Sequence, residues 1–258
     1  MCGMKTVILC GGKGTRMKEE TEFKPKPLVE IGGRPILWHI MKIYAHYGFN
    51  DFILALGYKG NMIKDYFLNQ RVFANDFTYH HSSNEIKFHN PIADDFKITF
   101  ADTGQESLTG ERLLGVRKYI TDEEFMVTYG DGVGDINIGE LTNFHKSQKT
   151  VATITGVHPH SKYGLVSVDK ENKLVTGFHQ KPLMHDYVSS GFMVFNPKVF
   201  DYLDEGPLEN VFPKLIKDRQ LSLYTHDGFW RGMDTYHEME ELNRLWDETK
   251  PWAIWEKS

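Results

Sequence analysis

Thr6-Val7-Ile8-Leu9-Cys10-Gly11-Gly12-Lys13-Gly14-Thr15-Arg16 decides how the rest of the chain is read. The apolar half is unbroken, as in a central parallel strand buried on both faces. The glycine half lets backbone amides come close to an anion, and Lys13 and Arg16 add positive charge. A phosphate cradle at the end of a buried strand follows from that combination, with a plain tight turn as the competing reading. Two other cradles are excluded by spacing. A dinucleotide fingerprint requires glycine where Met17 stands, and a P-loop requires Ser or Thr where Gly14 stands.

Downstream, proline opens a helical pattern at Pro35-Ile36-Leu37-Trp38-His39-Ile40-Met41 that Gly48 stops. Phe52 to Leu56 is a second strand and Asn61 to Asn69 a second helix. This β-α-β-α order implies a parallel sheet with right-handed crossovers. Residues 75–102 alternate short polar and aromatic pieces and read as strands and loops. Thr109 to Tyr119 reads as a helix. Phe125 to Tyr129 is another buried strand, broken by Gly130-Asp131-Gly132, so Asp131 stands at a strand's carboxyl end, where open α/β sheets bind ligands. Residues 151–157, 164–168, 175–179 and 191–196 are further strands, and helices are expected near 207–219 and 234–247. The fold class is α/β, a Rossmann-like mixed, mainly parallel sheet flanked by helices. The chain is expected to be a single domain over residues 1–258, with nucleotide binding in about 1–135 and acceptor binding in about 136–258.

With 258 residues, the chain can bury one sizeable core. A formal charge of -5 gives no broad basic field for a nucleic-acid backbone, so anions must be held by local clusters. Cys2 and Cys10 make no disulfide framework, and Cys10 reads as a buried thiol. No apolar stretch approaches membrane-spanning length and no signal-peptide pattern opens the chain, so a cytoplasmic protein is expected. None of the histidines, including His80-His81, His158-Pro159-His160 and His179, forms a zinc-ligand constellation. Trp246, Trp252 and Trp255 read as packing or subunit contact, because no basic groove accompanies them.

Lys24-Pro25-Lys26-Pro27 is a stiff loop, since each proline fixes its own backbone and extends the residue before it. A solvated basic loop is the alternative reading. The motif gains force from lying ten residues after the glycine loop and leading into Gly32-Gly33 and a helix. Asp131 has an Asp-Gly turn as its alternative, and Asp234 a helix N-cap.

The run 7–16 followed by Lys24-Pro25-Lys26-Pro27-Leu28-Val29-Glu30-Ile31-Gly32-Gly33-Arg34-Pro35-Ile36-Leu37 resembles the signature of the sugar-1-phosphate nucleotidyltransferases, and among them the cytidylyltransferases. Similarity continues through Gly57-Tyr58-Lys59-Gly60, Asp102-Thr103-Gly104, Thr109 to Leu113, Tyr129 to Val133, Gly228-Phe229-Trp230 and Met233-Asp234-Thr235, so it spans essentially the whole chain.

The resemblance implies an enzyme that joins CTP to a phosphorylated acceptor, with glucose 1-phosphate expected, giving a CDP-linked product and pyrophosphate. It implies Mg²⁺ as cofactor, with Asp131 and Asp234 as its ligands. It implies nucleotide contacts at Leu9, Cys10, Gly11, Gly12, Lys13, Gly14, Thr15, Arg16, Lys26, Ser107, Arg112 and Gly130. Among these, Arg16 and Lys26 are the catalytic pair, Arg16 on the triphosphate and Lys26 on the α-phosphate. Acceptor contacts fall to Gln180, Lys181, Ser189 and Gly191. A homo-oligomer is implied as well, with neither nucleic acid nor membrane as partner.

Two departures touch the acceptor side. Gln180-Lys181-Pro182 stands where relatives commonly carry Glu-Lys-Pro, and Val188-Ser189-Ser190-Gly191-Phe192 where Asn-Gly-Gly would precede phenylalanine. Another sugar phosphate, or a non-sugar phosphate, is therefore the alternative acceptor. A catalytically silent nucleotide-sensing subunit is the alternative from another class. Retention of Arg16, Lys26, Asp131 and Asp234 argues against it.

Overall fold

The opening apolar run, Thr6–Leu9 (β1), lies inside a seven-stranded sheet. Its other members are Asp51–Leu56 (β2), Lys97–Asp102 (β3), Phe125–Tyr129 (β4), Ala152–Val157 (β5), Val188–Phe195 (β6) and Leu221–His226 (β7). Their spatial order is β7-β5-β6-β4-β1-β2-β3. The computed structural model describes residues 4–90, 94–161 and 163–256, so Cys2 lies outside the described residues.

Neighbouring strands β4-β1-β2-β3 and β5-β7 are parallel, whereas β6 runs antiparallel to both β4 and β5. The exception has a local cause. Residues between β5 and β6 form a hairpin, Leu165–Val168 against Val175–His179, in place of the crossover helix that a parallel return needs. These two short strands stand apart from the main sheet, as does a second hairpin, Phe77–His80 with Glu85–Phe88.

The central strands are largely apolar because helices cover both faces, whereas the edge strands β3 and β7 carry polar residues such as Lys97, Asp102, Ser222 and His226. Ile8, Phe52, Leu54, Met126, Phe192 and Val194 point to one side. There they meet helices Ile36–His46 (α1), Gly60–Phe73 (α2), Ile138–Gln148 (α4) and Tyr236–Glu248 (α6) through Ile40, Ile63, Leu141 and Leu242. Val7, Leu9, Ile53, Phe125, Val127, Met193 and Phe195 point the other way, against Leu113 of Thr109–Val116 (α3) and Leu215 of Val211–Lys217 (α5). Each such side chain contributes about 1.5–3 kcal/mol when fully buried.

The tail tryptophans pack within the chain. Trp252 is fully buried and stacks on Phe229 with ring centroids 5.6 Å apart, while Trp246 meets His39 edge-on at 4.6 Å. This packing seats the C-terminal segment on α1, behind the site.

Candidate functional site

At the carboxyl end of the sheet, β1 and β4 run side by side in register, Leu9 opposite Tyr129. The chain turns away from β1 toward β2 on one side while β4 lies on the other. A crevice opens at such a switch in strand order. It is a cavity of about 420 Å³ lined by the glycine loop, Lys26 and Pro27, residues 107–109, Arg112, Tyr129, Gly130, Asp131, Pro207 and Asp234.

The glycine loop is shaped by its surroundings. A Cβ on Gly11 would stand 2.1 Å from the Arg112 guanidinium carbon, so only glycine fits there, whereas nothing lies within 4 Å of that position on Gly12, which faces open space. Gly14 has φ +62, a conformation that favours glycine, and it leads into a single turn at Thr15–Met17 that presents Arg16.

Lys26 begins a short turn, Lys26–Leu28, behind Pro25. Its Nζ donates to Asp131 Oδ2 at 2.6 Å and to Asp234 Oδ1 at 2.8 Å, and Arg16 reaches the same Asp234 oxygen at 2.9 Å. Two acids and two bases thus form a cluster without net charge. Burial pulls the Lys26 pKa down, but attraction to Asp131 and Asp234 and the hydrogen bonds to both outweigh it, and the net result is above the ordinary lysine value.

A two-stranded ribbon brings the distant aspartates together. Gly132–Gly134 pairs antiparallel with Trp230–Gly232, and the Met233 amide donates to the Asp131 carbonyl at 2.8 Å. The ribbon is clasped by Asp135, whose Oδ1 accepts from the Phe229 amide at 2.7 Å and pairs with His226 at 2.9 Å. Burial alone would raise the Asp135 pKa, but these partners hold it below the usual carboxylate value. The N-cap of α6 is Thr235, closed by a capping box with Glu238, so Asp234 does not serve as that cap.

The two carboxylates suit Mg²⁺. Both reach one point, now taken by the Lys26 ammonium, and both offer hard oxygen donors. Among the described residues no group of three or more His, Cys, Asp or Glu gathers that could hold a metal ion. Mg²⁺ commonly takes one or two carboxylates and completes its shell with phosphate oxygens and water.

Leu9, Cys10, Gly11, Gly12, Gly14, Thr15, Arg16, Lys26, Ser107, Arg112, Gly130, Asp131 and Asp234 all line the cavity. Three qualifications apply. Lys13 is not in the lining; its ammonium pairs with Glu106 at 2.6 Å. Ser107 donates its hydroxyl to the Thr103 carbonyl at 2.6 Å. Arg112 is almost wholly buried and donates to the carbonyls of Leu56, Gly104, Gly11 and Gln105 and to Thr103 Oγ1, so its guanidinium braces three loops beneath the cavity floor. Cys10 is a buried thiol, its pKa pushed up by burial.

The four acceptor candidates stay outside this lining. Gln180 and Lys181 follow the exposed hairpin, Lys181 at φ +45, and the Gln180 side chain lies over Gly164. Ser189 and Gly191 are on β6, and Gly191 touches the cavity wall through Tyr129. Tyr129, Leu108, Thr109 and Pro207 also line the cavity without having been among the candidate site residues, although Thr109 and Tyr129 open two of the runs that carry the resemblance. Tyr129 had a signal, as the last residue of a buried strand. Pro207 had none, because it arrives by a tertiary contact in which Gly110 donates to the Gly206 carbonyl at 3.0 Å.

Comparison with known proteins is consistent with this geometry. Residues 5–248 match the sequence family described as Nucleotidyl transferase. The chain is 44% identical over 261 residues to a probable glucose-1-phosphate cytidylyltransferase of Bacillus subtilis, covering 98% of this chain and 100% of that one. It is 42% identical over 259 residues to the glucose-1-phosphate cytidylyltransferase of Salmonella typhi, with the same coverage. The fold resembles a putative glucose-1-phosphate thymidylyltransferase of Bacillus anthracis at TM-score 0.69 and 17% identity, covering 96% of this chain and 97% of the other.

Proposed function

The chain belongs to the nucleotidyl transferase family, and from that premise we propose that it transfers the cytidylyl group of CTP to glucose 1-phosphate, forming CDP-glucose and pyrophosphate. The observation that carries this reading is the convergence of Lys26, Arg16, Asp131 and Asp234 beside a glycine loop at the sheet's switch point.

A sugar-phosphate oxygen attacks the α-phosphorus of CTP, the bond to the β-phosphate breaks, and pyrophosphate leaves. The attacking phosphate is already ionised near neutrality, its second pKa being about 6, so no side chain has to remove a proton. The task is alignment and charge neutralisation. In this reading the amides of Gly11 and Gly12 meet the nucleotide, Arg16 holds the triphosphate, and Lys26 faces the α-phosphate as charge builds there. Asp131 and Asp234 would hold Mg²⁺, which when bound would neutralise charge on the phosphate oxygens. Lys181 takes the sugar phosphate, with Gln180, Ser189 and Gly191 around the sugar. Ser190 is set aside from that role, since its buried hydroxyl donates to the Thr155 carbonyl at 3.1 Å.

A second reading keeps CTP and replaces glucose 1-phosphate with another phosphorylated acceptor. It is favoured by Gln180 and Ser189, whose neutral side chains stand where the family resemblance leads one to expect Glu and Asn. The test is pyrophosphate release over a matrix of nucleoside triphosphates and phosphorylated acceptors, with and without EDTA. Turnover with CTP and glucose 1-phosphate that EDTA stops and Mg²⁺ restores is the expected result.

We also propose that the chain acts as one domain in a homo-oligomer in the cytoplasm. Self-association is supported by the exposed apolar hairpins, which present Phe77, Tyr79 and Ile86 on one and Val166, Val175 and Phe178 on the other. Among the described residues no helix is long and apolar enough to cross a membrane.

A further inference from the structure

We infer that Tyr129, anchored by Glu209, is the positioning residue that sets the acceptor relative to the nucleotide. The inference rests on the reaction proposed above, in that Gly191 and its neighbours receive the acceptor.

Tyr129 ends β4 directly before Gly130 and Asp131, and pairing with Leu9 fixes its backbone. Tyr129 lines the cavity beside the glycine loop. Its ring also lies close to β6, where the register that sets Met193 opposite Val127 brings Gly191 toward Tyr129. Two independent features keep that position open to the ring. A Cβ on Gly191 would stand 2.5 Å from Tyr129 Cδ2, and Gly191 has φ +84, a conformation that favours glycine.

The ring is also fixed at its far end, where the hydroxyl donates to Glu209. Glu209 belongs to the turn Leu208–Asn210, and this stretch grips the start of α3. The Leu208 amide donates to Thr109 Oγ1 at 2.8 Å and the Gly206 carbonyl accepts from Gly110 at 3.0 Å. Thr109 and Pro207 are themselves walls of the cavity. Tyr129 therefore touches the cavity and the acceptor strand directly, and the nucleotide-side helix through Glu209. In-line attack requires the reacting atoms about 3–3.5 Å apart, and a misplacement of about 1 Å can cost on the order of a hundredfold in rate. A side chain clamped between the two substrate regions is placed to prevent that.

The test uses the full chain, comparing wild type with Tyr129→Phe, Glu209→Gln, their double variant and Tyr129→Ala in steady-state kinetics. CTP affinity is measured separately by calorimetry. Tyr129→Phe and Glu209→Gln should each lower kcat about tenfold, and Tyr129→Ala about a hundredfold with a raised KM for the acceptor. The double variant should be no worse than the weaker single variant, because both remove one contact. CTP affinity should stay within about threefold in Tyr129→Phe, Glu209→Gln and their double variant, which keep the ring in the cavity wall. Unchanged kcat in Tyr129→Ala, CTP affinity that falls in step with kcat in those three variants, or additive single effects would each overturn the inference. Should Tyr129→Ala fail to fold, the two conservative variants and their double still decide it. If the wild type prefers another acceptor, the proposed substrate fails, and the variant-to-wild-type ratios are taken on the acceptor it does use.

Discussion

Asp131 and Asp234 are held by opposite arms of one ribbon and share the Lys26 ammonium, which makes them the most exacting test at the scale of single residues. Asp131→Asn or Asp234→Asn is expected to cut turnover at least a hundredfold to a thousandfold, the usual range for losing one electrostatic contact to a transition state. The far-UV circular dichroism spectrum should stay native, since neither side chain packs in the core. Near-native rates in both variants would mean that the charged cluster is not the reaction centre. Arg112 makes the opposite prediction. Its guanidinium donates to carbonyls on the glycine loop, at the end of β2 and on the loop after β3, and Arg112→Ala removes all of these bonds at once, although the Gly11 and Leu56 carbonyls keep the Tyr58 and Thr103 amides as partners. We expect a loss of about 3 kcal/mol in urea unfolding, since hydrogen bonds to a charged group contribute about 1.5–3 kcal/mol each. An Arg112→Ala chain as stable as wild type would show that the brace is not structural.

At the scale of elements, α1 and the C-terminal tail meet around His39, which is fully buried. Its Nε2 donates to the Ile31 carbonyl at 2.8 Å and its Nδ1 accepts from Trp252 Nε1 at 3.3 Å, a pattern that uses the neutral ring. Burial lowers its pKa from 6.5 to about 4, and burial does the same to His145. The unfolded chain therefore binds more protons than the folded one between these values. Stability contributed by the neutral rings is complete above pH 6.5 and is lost as pH falls toward 4, by up to about 1.4 kcal/mol per pH unit for each histidine. His39→Gln, which keeps a donor and an acceptor, should flatten that slope in urea titrations, and an unchanged slope would contradict the burial argument. The elements themselves were legible wherever the apolar pattern was strong. The run into Cys10 and the run into Tyr129 read as buried strands because both sheet faces are covered, and Pro35 and Gly48 bracketed α1. The antiparallel course of β6 was not legible, since it depends on a hairpin excursion that local pattern does not encode. In the site, the members of the charged cluster were named through the resemblance, since local sequence alone favours a turn at Asp131 and a helix cap at Asp234. The employment of Arg112 on backbone carbonyls, the Lys13–Glu106 pair and the arrival of Pro207 were not legible, because each is a contact between segments far apart in sequence.

Taken as a whole, the molecule places a neutral cluster of two acids and two bases at the mouth of a single mixed sheet, in a chain of net charge -5. In the proposed reading this local cluster with its metal, rather than a basic surface, receives the two anionic substrates. The proposed nucleotide residues line one cavity, while the acceptor candidates Gln180, Lys181 and Ser189 stand beyond it, so the proposal treats CTP preference and acceptor choice as separable properties. The most direct measurement of the central claim is the initial rate of pyrophosphate release with glucose 1-phosphate and Mg²⁺, comparing CTP, UTP and dTTP at equal concentration. CTP is expected to be turned over faster by about tenfold or more, since one mismatched buried hydrogen bond costs about 1–3 kcal/mol, with CDP-glucose as the product. Equal or faster turnover of dTTP, or no pyrophosphate from CTP with any sugar phosphate, would contradict it.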